Sequence, residues 1–305
     1  MIEVADYEVA RASVGMVERS KRGKLRLLGA DAAEFLQGQL TNDVEALAPG
    51  TGCYAALLDH KGKVRTDMRV LRGVDWIWLD TEPGFHDLLA RTVATYGIGR
   101  DVRAEDQTSS HSILALIGPR APSALEVAPP DREHSFVEGE HGVYVRTLAG
   151  VDVICDAERE GSVRASIGAE PLPDEVAECL RIEAGRPRFG ADFDAGTLPE
   201  EAGLNERAVS FTKGCYVGQE TVARLHYKGK PNRHLRGLKL SGDARTGDEL
   251  RLGDRTVGVL GSTADSPTFG PIGLAVVRRE AGPGDVVEVG EAGVRAEVVE
   301  LPFGA

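Results

Sequence analysis

The chain has 305 residues, of which 42% are hydrophobic and 28% charged, and its formal net charge is −12. That composition excludes a disordered chain, and the length exceeds what one hydrophobic core usually fills, so two domains or three small ones are expected. An acidic surface repels phosphates, which excludes general nucleic-acid binding except at a local basic patch such as "RLHYKGKPNRHLR" between Arg224 and Arg236.

The start, "MIEVADYEVARASVG", lacks the basic opening and apolar run of a secretory signal, and no apolar stretch approaches the roughly 20 residues that span a bilayer. A cytoplasmic protein without a membrane segment is expected. Next, "GKLRLLG" and "CYAALLD" read as strands, and "KVRTDMRVLRGVDWIWLD" reads as a hairpin turning at Arg72–Asp75. Between the first two, "DAAEFLQGQL" predicts a short helix opened by an Asp31/Glu34 capping box. "PGFHDLLARTVATYG" predicts a second helix, with Phe85, Leu88, Leu89, Val93 and Tyr96 at helical intervals and Gly97 as a left-handed cap.

A second unit is expected from "HSILALIGPRAPSALEVAPP", a strand followed by a helix, and from the hairpin-like "GVYVRTLAGVDVICDA". "LPDEVAECLRIEAGRPRFG" predicts a helix with Val176, Cys179, Leu180 and Glu183 on one face, interrupted at Gly185 and Pro187. After Pro231, short alternating segments punctuated by Gly, Asp and Pro predict a small all-β barrel or sandwich. The strands and helices lack the rhythm of a doubly wound parallel sheet, so an α+β fold with antiparallel or mixed sheets is expected.

The four cysteines, Cys53, Cys155, Cys179 and Cys215, show no metal-ligand spacing, so no structural zinc site or bound metal is expected. Cys155 and Cys179 fall on strand and helix positions that packing explains, and Cys53 adjoins a strand. Cys215 differs. In "SFTKGCYVGQETVARLHY" the helical period starts near Val217 and Gly214 permits a sharp turn, which would set Cys215 at a helix N-terminus two residues from Lys213. Both effects favour a thiolate, the form that attacks electrophiles or ligates metal. The bland alternative is a small apolar filler, with Glu220 and Arg224 a solvated pair that adds only a few tenths of a kcal/mol.

"KGCYVGQETVAR" resembles the signature of the YgfZ group of folate-binding proteins, within the superfamily of the glycine-cleavage T-protein, a tetrahydrofolate-dependent aminomethyltransferase. "FLQGQLTNDV" at 35–44, "YAALLDHKGKVRTDMRV" at 54–70 and "LRIEAGRPRFGADFDAGTLPEEAGL" at 180–204 resemble successive blocks of that superfamily in the right order. The resemblance implies two mixed α/β units around a central folate site, at 1–110 and 111–230, and a C-terminal β-barrel at 231–305. It implies Cys215 and Lys213 as the reactive pair, supported by Gly214, Tyr216, Gly218, Gln219, Glu220 and Arg224. It also implies Asp67, Tyr54 and Arg181 as folate contacts, since a carboxylate accepts from pterin donors and an arginine fork suits carboxylates.

Where the transferase carries "YTGEDGYE", this chain offers "VRTLAGVDVIC" and lacks the glutamate that helps hold folate. The leading expectation is therefore a tetrahydrofolate-binding accessory protein that supports iron–sulfur cluster assembly or repair. Iron–sulfur-dependent tRNA modification would follow through its client enzymes, with direct nucleic-acid contact not expected. Its partners would be the assembly machinery or those clients, and because a cluster normally takes four protein ligands, a lone thiol would have to share ligation. One-carbon transfer like that of the aminomethyltransferase, and a non-catalytic folate or protein binding module, are the alternatives.

Overall fold

The computed structural model describes residues 2–304. Helix α1 (Val4–Ala12) leads into strand β1 (Gly15–Glu18), after which come β2 (Gly23–Leu28), α2 (Ala32–Gln39), β3 (Thr51–Leu58), β4 (Val64–Arg72), β5 (Trp76–Thr81), α3 (His86–Tyr96) and β6 (Arg103–Asp106). Five of these strands form an antiparallel sheet in the order β3-β4-β5-β2-β6. Its side chains alternate with the period of two that a pleated strand imposes. Leu25, Leu27, Met68, Val70, Ile77 and Leu79 face α2 and α3, where Phe35, Leu36, Leu89 and Val93 complete a core.

A second sheet holds β7 (His111–Ile117), β8 (Phe136–Gly139), β9 (Gly142–Thr147), β10 (Gly150–Asp156) and β11 (Glu170–Pro171), in the order β11-β1-β7-β10-β9-β8. Helix α4 (Glu160–Ile167) covers its outer face, where Leu114, Leu116, Val151, Val153 and Val163 pack together. On the inner face Ile113, Val145 and Ile154 meet Leu71 and Trp78 of the first sheet. The two sheets thus share one buried layer.

Helices α5 (Asp174–Glu183), α6 (Asn205–Ala208) and α7 (Gln219–Lys228) follow, and then β12 (Arg233–Leu240), β13 (Glu249–Leu252), β14 (Arg255–Ser266), β15 (Gly270–Arg278), β16 (Val286–Val289) and β17 (Val294–Val299). These six strands close a barrel in the order β12-β15-β14-β13-β16-β17. It packs against α5 through Ile182, Leu235, Ile272 and Leu274. The α+β class and the C-terminal barrel are as the sequence predicts.

Several local expectations need correction. Strand β1 leaves the unit assigned to 1–110, because it pairs with β7 and β11 in the second sheet. Asp31 makes no side-chain cap; its carboxylate instead accepts the Asp101 N–H at 2.7 Å, while Glu34 pairs with Arg100. Gly97 has φ −86°, so α3 ends without a left-handed cap, and Tyr96 is exposed. The helix expected after β7 is a single 3-10 turn at Ala121–Ala124. Around Cys215, the turn is made by Gly218 and not by Gly214. Gly218 has φ +82°, and a Cβ there would lie 2.5 Å from the Asp59 carbonyl oxygen, whereas one on Gly214 would meet nothing within 4 Å.

Candidate functional site

A cavity of about 900 Å³ lies where one end of the inter-sheet layer meets α5 and the barrel. The alternation of β3, β4 and β5 that sends Leu79 and Val70 to the core sends Tyr54, Arg69 and Asp80 to this side. Opposite them β10 supplies Asp152, α6 supplies Arg207, and Glu133, His134 and Arg186 come from the connecting segments.

Asp67 on β4 is buried, and Tyr54 on β3 donates its hydroxyl hydrogen to Asp67 Oδ2 at 2.7 Å. Burial, outweighing the Tyr54 bond that opposes it, pushes the Asp67 carboxyl up to about 6. Burial and the neighbouring Asp67 raise the Tyr54 phenol well above its ordinary value. Tyr54 lines the cavity and Asp67 does not, so a ligand meets the phenol oxygen first. With its proton given to Asp67, that oxygen is a hydrogen-bond acceptor toward the cavity.

The opposite polarity surrounds it. The Arg207 guanidinium lies 4.6 Å from the Tyr54 ring centre, and its Nε and Nη1 have no hydrogen-bond partner among the described residues. Burial, followed by the nearby Arg186, holds its pKa below the ordinary arginine value despite neighbouring acids. Arg186 Nη1, Arg69 Nη2 and His134 Nδ1 are likewise without partners among the described residues. His134 stacks on Tyr54 with ring centres 6.3 Å apart, and burial, then Arg69 and Arg207, lower it to about 3, so the ring is neutral. Buried polar groups normally find partners, so the arginine donors are placed for a ligand rich in acceptors, and the neutral His134 ring offers its free nitrogen beside them. A small molecule carrying carbonyls, ring nitrogens or carboxylates suits this lining, and the volume is within the usual range for a small-molecule site.

Beneath the cavity, Arg69 donates from Nε to Asp80 and from Nη1 to Asp152, each at 2.7 Å, and so ties the first sheet to the second. Arg22 donates to the other oxygen of Asp80 at 2.8 Å and to Glu82 at 2.6 Å.

Arg181, expected as a folate contact, borders the cavity but has its donors committed. Nε and Nη2 bond Glu178, Nη2 also reaches Ser262 Oγ, and Nη1 bonds Asp192 and the Arg186 carbonyl. It fastens α5 to β14 and to the segment holding Asp192. Arg207, which the sequence reading did not single out, is the arginine with donors to spare. Its one sequence signal is a cation in "NERAVSF" directly before the buried Ala208 and Val209.

None of Lys213 to Arg224 lines the cavity. Cys215 is exposed and lies three residues ahead of Gly218, so it stands outside the first turn of α7. Lys213 is corrected from a reactive partner to a structural anchor. Its ammonium is buried and donates to the carbonyls of Gln37, Leu40 and Asn42 at 2.6, 2.7 and 3.0 Å, which uses all three of its donors at the end of α2. Burial lowers it to about 8, which leaves it charged at neutral pH. Tyr216 is buried with its ring centre 5.1 Å from that ammonium. Gln219 opens α7, and the exposed Glu220 and Arg224 form no ion pair among the described residues.

Asn42 links this segment to the cavity: its side-chain amide donates to the carbonyls of Tyr54 at 2.8 Å and Arg207 at 3.1 Å. Replacing Lys213 by Met leaves three carbonyls short of a charged donor and is expected to cost roughly 2–4 kcal/mol. Urea unfolding measures it, and a loss below about 0.5 kcal/mol would contradict the anchoring role. Among the described residues no cluster of His, Cys, Asp or Glu is arranged to hold a metal ion, and no helix is long and apolar enough to cross a membrane.

Two inward-facing sheets over a donor-rich cavity of small-molecule size, closed by a barrel, define the α+β architecture. Residues 2–155 match the GCVT N-terminal domain and residues 233–304 match the glycine cleavage T-protein C-terminal barrel domain. The chain is 31% identical to an aminomethyltransferase of Rubrobacter xylanophilus over 98% of its own length and 85% of that protein. It is 27% identical to one of Corynebacterium jeikeium, covering 99% and 90%. Its fold is that of the glycine cleavage system aminomethyltransferase T from Bartonella henselae, with a TM-score of 0.88 at 22% identity over 98% of this chain and 89% of that one. The chain belongs to the glycine-cleavage T-protein superfamily.

Proposed function

We propose that this protein binds tetrahydrofolate, or a one-carbon derivative of it, in the central cavity and acts on the one-carbon unit there. The observation that carries the reading is the Tyr54–Asp67 pair, a buried carboxyl hydrogen-bonded to a tyrosine that lines a cavity rimmed by the spare donors of Arg207, Arg186 and Arg69. The carboxyl, poised at about 6, is close enough to neutrality to hold or release a proton as the folate nitrogen gains or loses its substituent. The full-length likeness to aminomethyltransferases supports transfer as the reaction. Incubation with tetrahydrofolate and an aminomethyl donor is expected to yield methylenetetrahydrofolate, with the donor's amine nitrogen released as ammonia; failure to turn over with any such donor would sink the transfer reading.

A second reading is favoured by a specific observation. Cys215 is the exposed thiol of the four, in a segment resembling the YgfZ signature, and the β9–β10 hairpin at 145–155 lacks the glutamate of the transferase. In this reading the protein is a cytoplasmic, folate-binding accessory to iron–sulfur cluster assembly or repair, and through it to tRNA modification. Cys215 would then be the working thiol that meets assembly proteins or client enzymes. Complementation of a bacterium lacking its own copy separates the two. Loss of [4Fe–4S] enzyme activity under oxidative stress with Cys215→Ser, but retained folate binding, supports the accessory role. Full rescue by Cys215→Ser removes it.

A further inference from the structure

The inter-sheet layer has a second cavity at its other end, of about 200 Å³, separated from the first by the apolar cluster of Leu71, Trp78, Ile113, Phe136, Val145 and Ile154. The same strand alternation builds it. Arg26 on β2 is the register partner of Trp78 on β5, and Trp78 is the partner of Leu71 on β4, so the three stand in a row across the first sheet. Val143, Ile154 and His111 face them from the second sheet.

Two polar atoms in this apolar space are unmatched. Trp78 is 5% exposed and its Nε1–H has no acceptor among the described residues; the same holds for the buried Nε–H of Arg26. Arg26 also makes no ion pair with any described residue, and its guanidinium lies 6.0 Å from the Trp76 ring centre. A donor left without an acceptor in such a place costs free energy, and two adjacent ones, one of them cationic, call for an anionic oxygen pair. Glu138, Asp156 and Arg159 also border the cavity, but on exposed positions at its mouth; Asp156 faces His111 at 3.7 Å. A ring-sized apolar body fits the remainder, since a cavity of about 150 Å³ holds benzene.

We propose that this cavity is a binding site for a small planar aromatic carboxylate. Its ring lies among Leu71, Val143, Ile154 and the indoles, and its carboxylate accepts from Arg26 Nε–H and Trp78 Nε1–H. Because the site spans both sheets, an occupant would fasten them together at the end away from the central cavity.

The chain has two tryptophans, Trp76 and Trp78, and both line this cavity, so fluorescence excited at the red edge of indole absorption reports on it alone. The full chain is titrated with benzoate, and with benzyl alcohol as an uncharged ring of similar size. Saturable change with benzoate is expected, weakened at least about tenfold by Arg26→Met and by exchanging benzoate for benzyl alcohol. Trp78→Phe keeps the ring, removes the N–H and leaves Trp76 as reporter; it is expected to weaken benzoate about fivefold, and guards against a misfolded Arg26 variant. A linear, unsaturable response, or equal titrations by benzoate in all three proteins, overturns the proposal.

Discussion

Replacing Asp67 by Asn is expected to stabilise the protein at pH 7 while weakening reduced-folate binding at least about tenfold. In the folded chain the Asp67 carboxyl is raised from an ordinary 3.8 to about 6 by burial. The unfolded chain therefore releases this proton first as pH rises. Stability falls across the window from about pH 4 to 6, by up to about 3 kcal/mol, and stays lower above it. Asn cannot ionise and still offers an oxygen to the Tyr54 hydroxyl, so the variant escapes that loss. Its gain over wild type is expected to be roughly 1–3 kcal/mol at pH 7 and to vanish near pH 4. Urea unfolding at the two pH values measures both. A variant less stable than wild type at pH 7 would mean that Asp67 is not the strained group described here. The binding loss follows because an uncharged amide oxygen accepts the Tyr54 proton less strongly than a carboxylate does, which weakens the phenol oxygen as an acceptor toward the ligand.

Arg69→Met is expected to be the most damaging single change near the cavity, at roughly 3–5 kcal/mol, because it leaves Asp80 and Asp152 buried without their shared cation. Burial pushes the Asp80 carboxyl up, but Arg69 and Arg22 outweigh it and hold it below the ordinary range. A depressed carboxyl contributes stability that is present above its unfolded value near 3.8 and is lost as pH falls through its folded value. Without Arg69 the Asp80 carboxyl loses most of that depression, so the variant's deficit against wild type should be largest near pH 7 and shrink as pH falls below about 4. Thermal unfolding between pH 3 and 7 follows it; a deficit that does not change with pH would place the clamp's energy elsewhere.

Much of the architecture was legible because strands announce themselves locally. "KVRTDMRVLRGVDWIWLD" alternates with a period of two and turns at the expected Arg72–Asp75, and the barrel strands are spaced by Gly, Asp and Pro. The pairing of β1 with β7 was not legible, since a partner nearly one hundred residues away leaves no mark on the strand itself. Cap geometry failed for a similar reason: Asp31 and Gly97 have suitable side chains, but the distant Asp101 amide and the local φ decided their use.

Within the site, the sequence brought Tyr54 and Asp67 forward, and the structure joins them by a hydrogen bond. It could not tell which arginine keeps donors to spare, because that depends on what else lies within reach. Arg181 meets Glu178, Asp192 and Ser262, while Arg207 meets the face of Tyr54. Lys213 misled for the opposite reason. Its place two residues from Cys215 suggests shared chemistry, yet its long side chain turns to the end of α2.

Calorimetric titration of the full chain with tetrahydrofolate at pH 7.5, beside Arg207→Gln, tests the central claim most directly. The account predicts one site per chain for wild type, and binding at least about tenfold weaker in a variant that unfolds at the same urea concentration. No heat of binding to wild type, or equal affinity in both proteins, would contradict it.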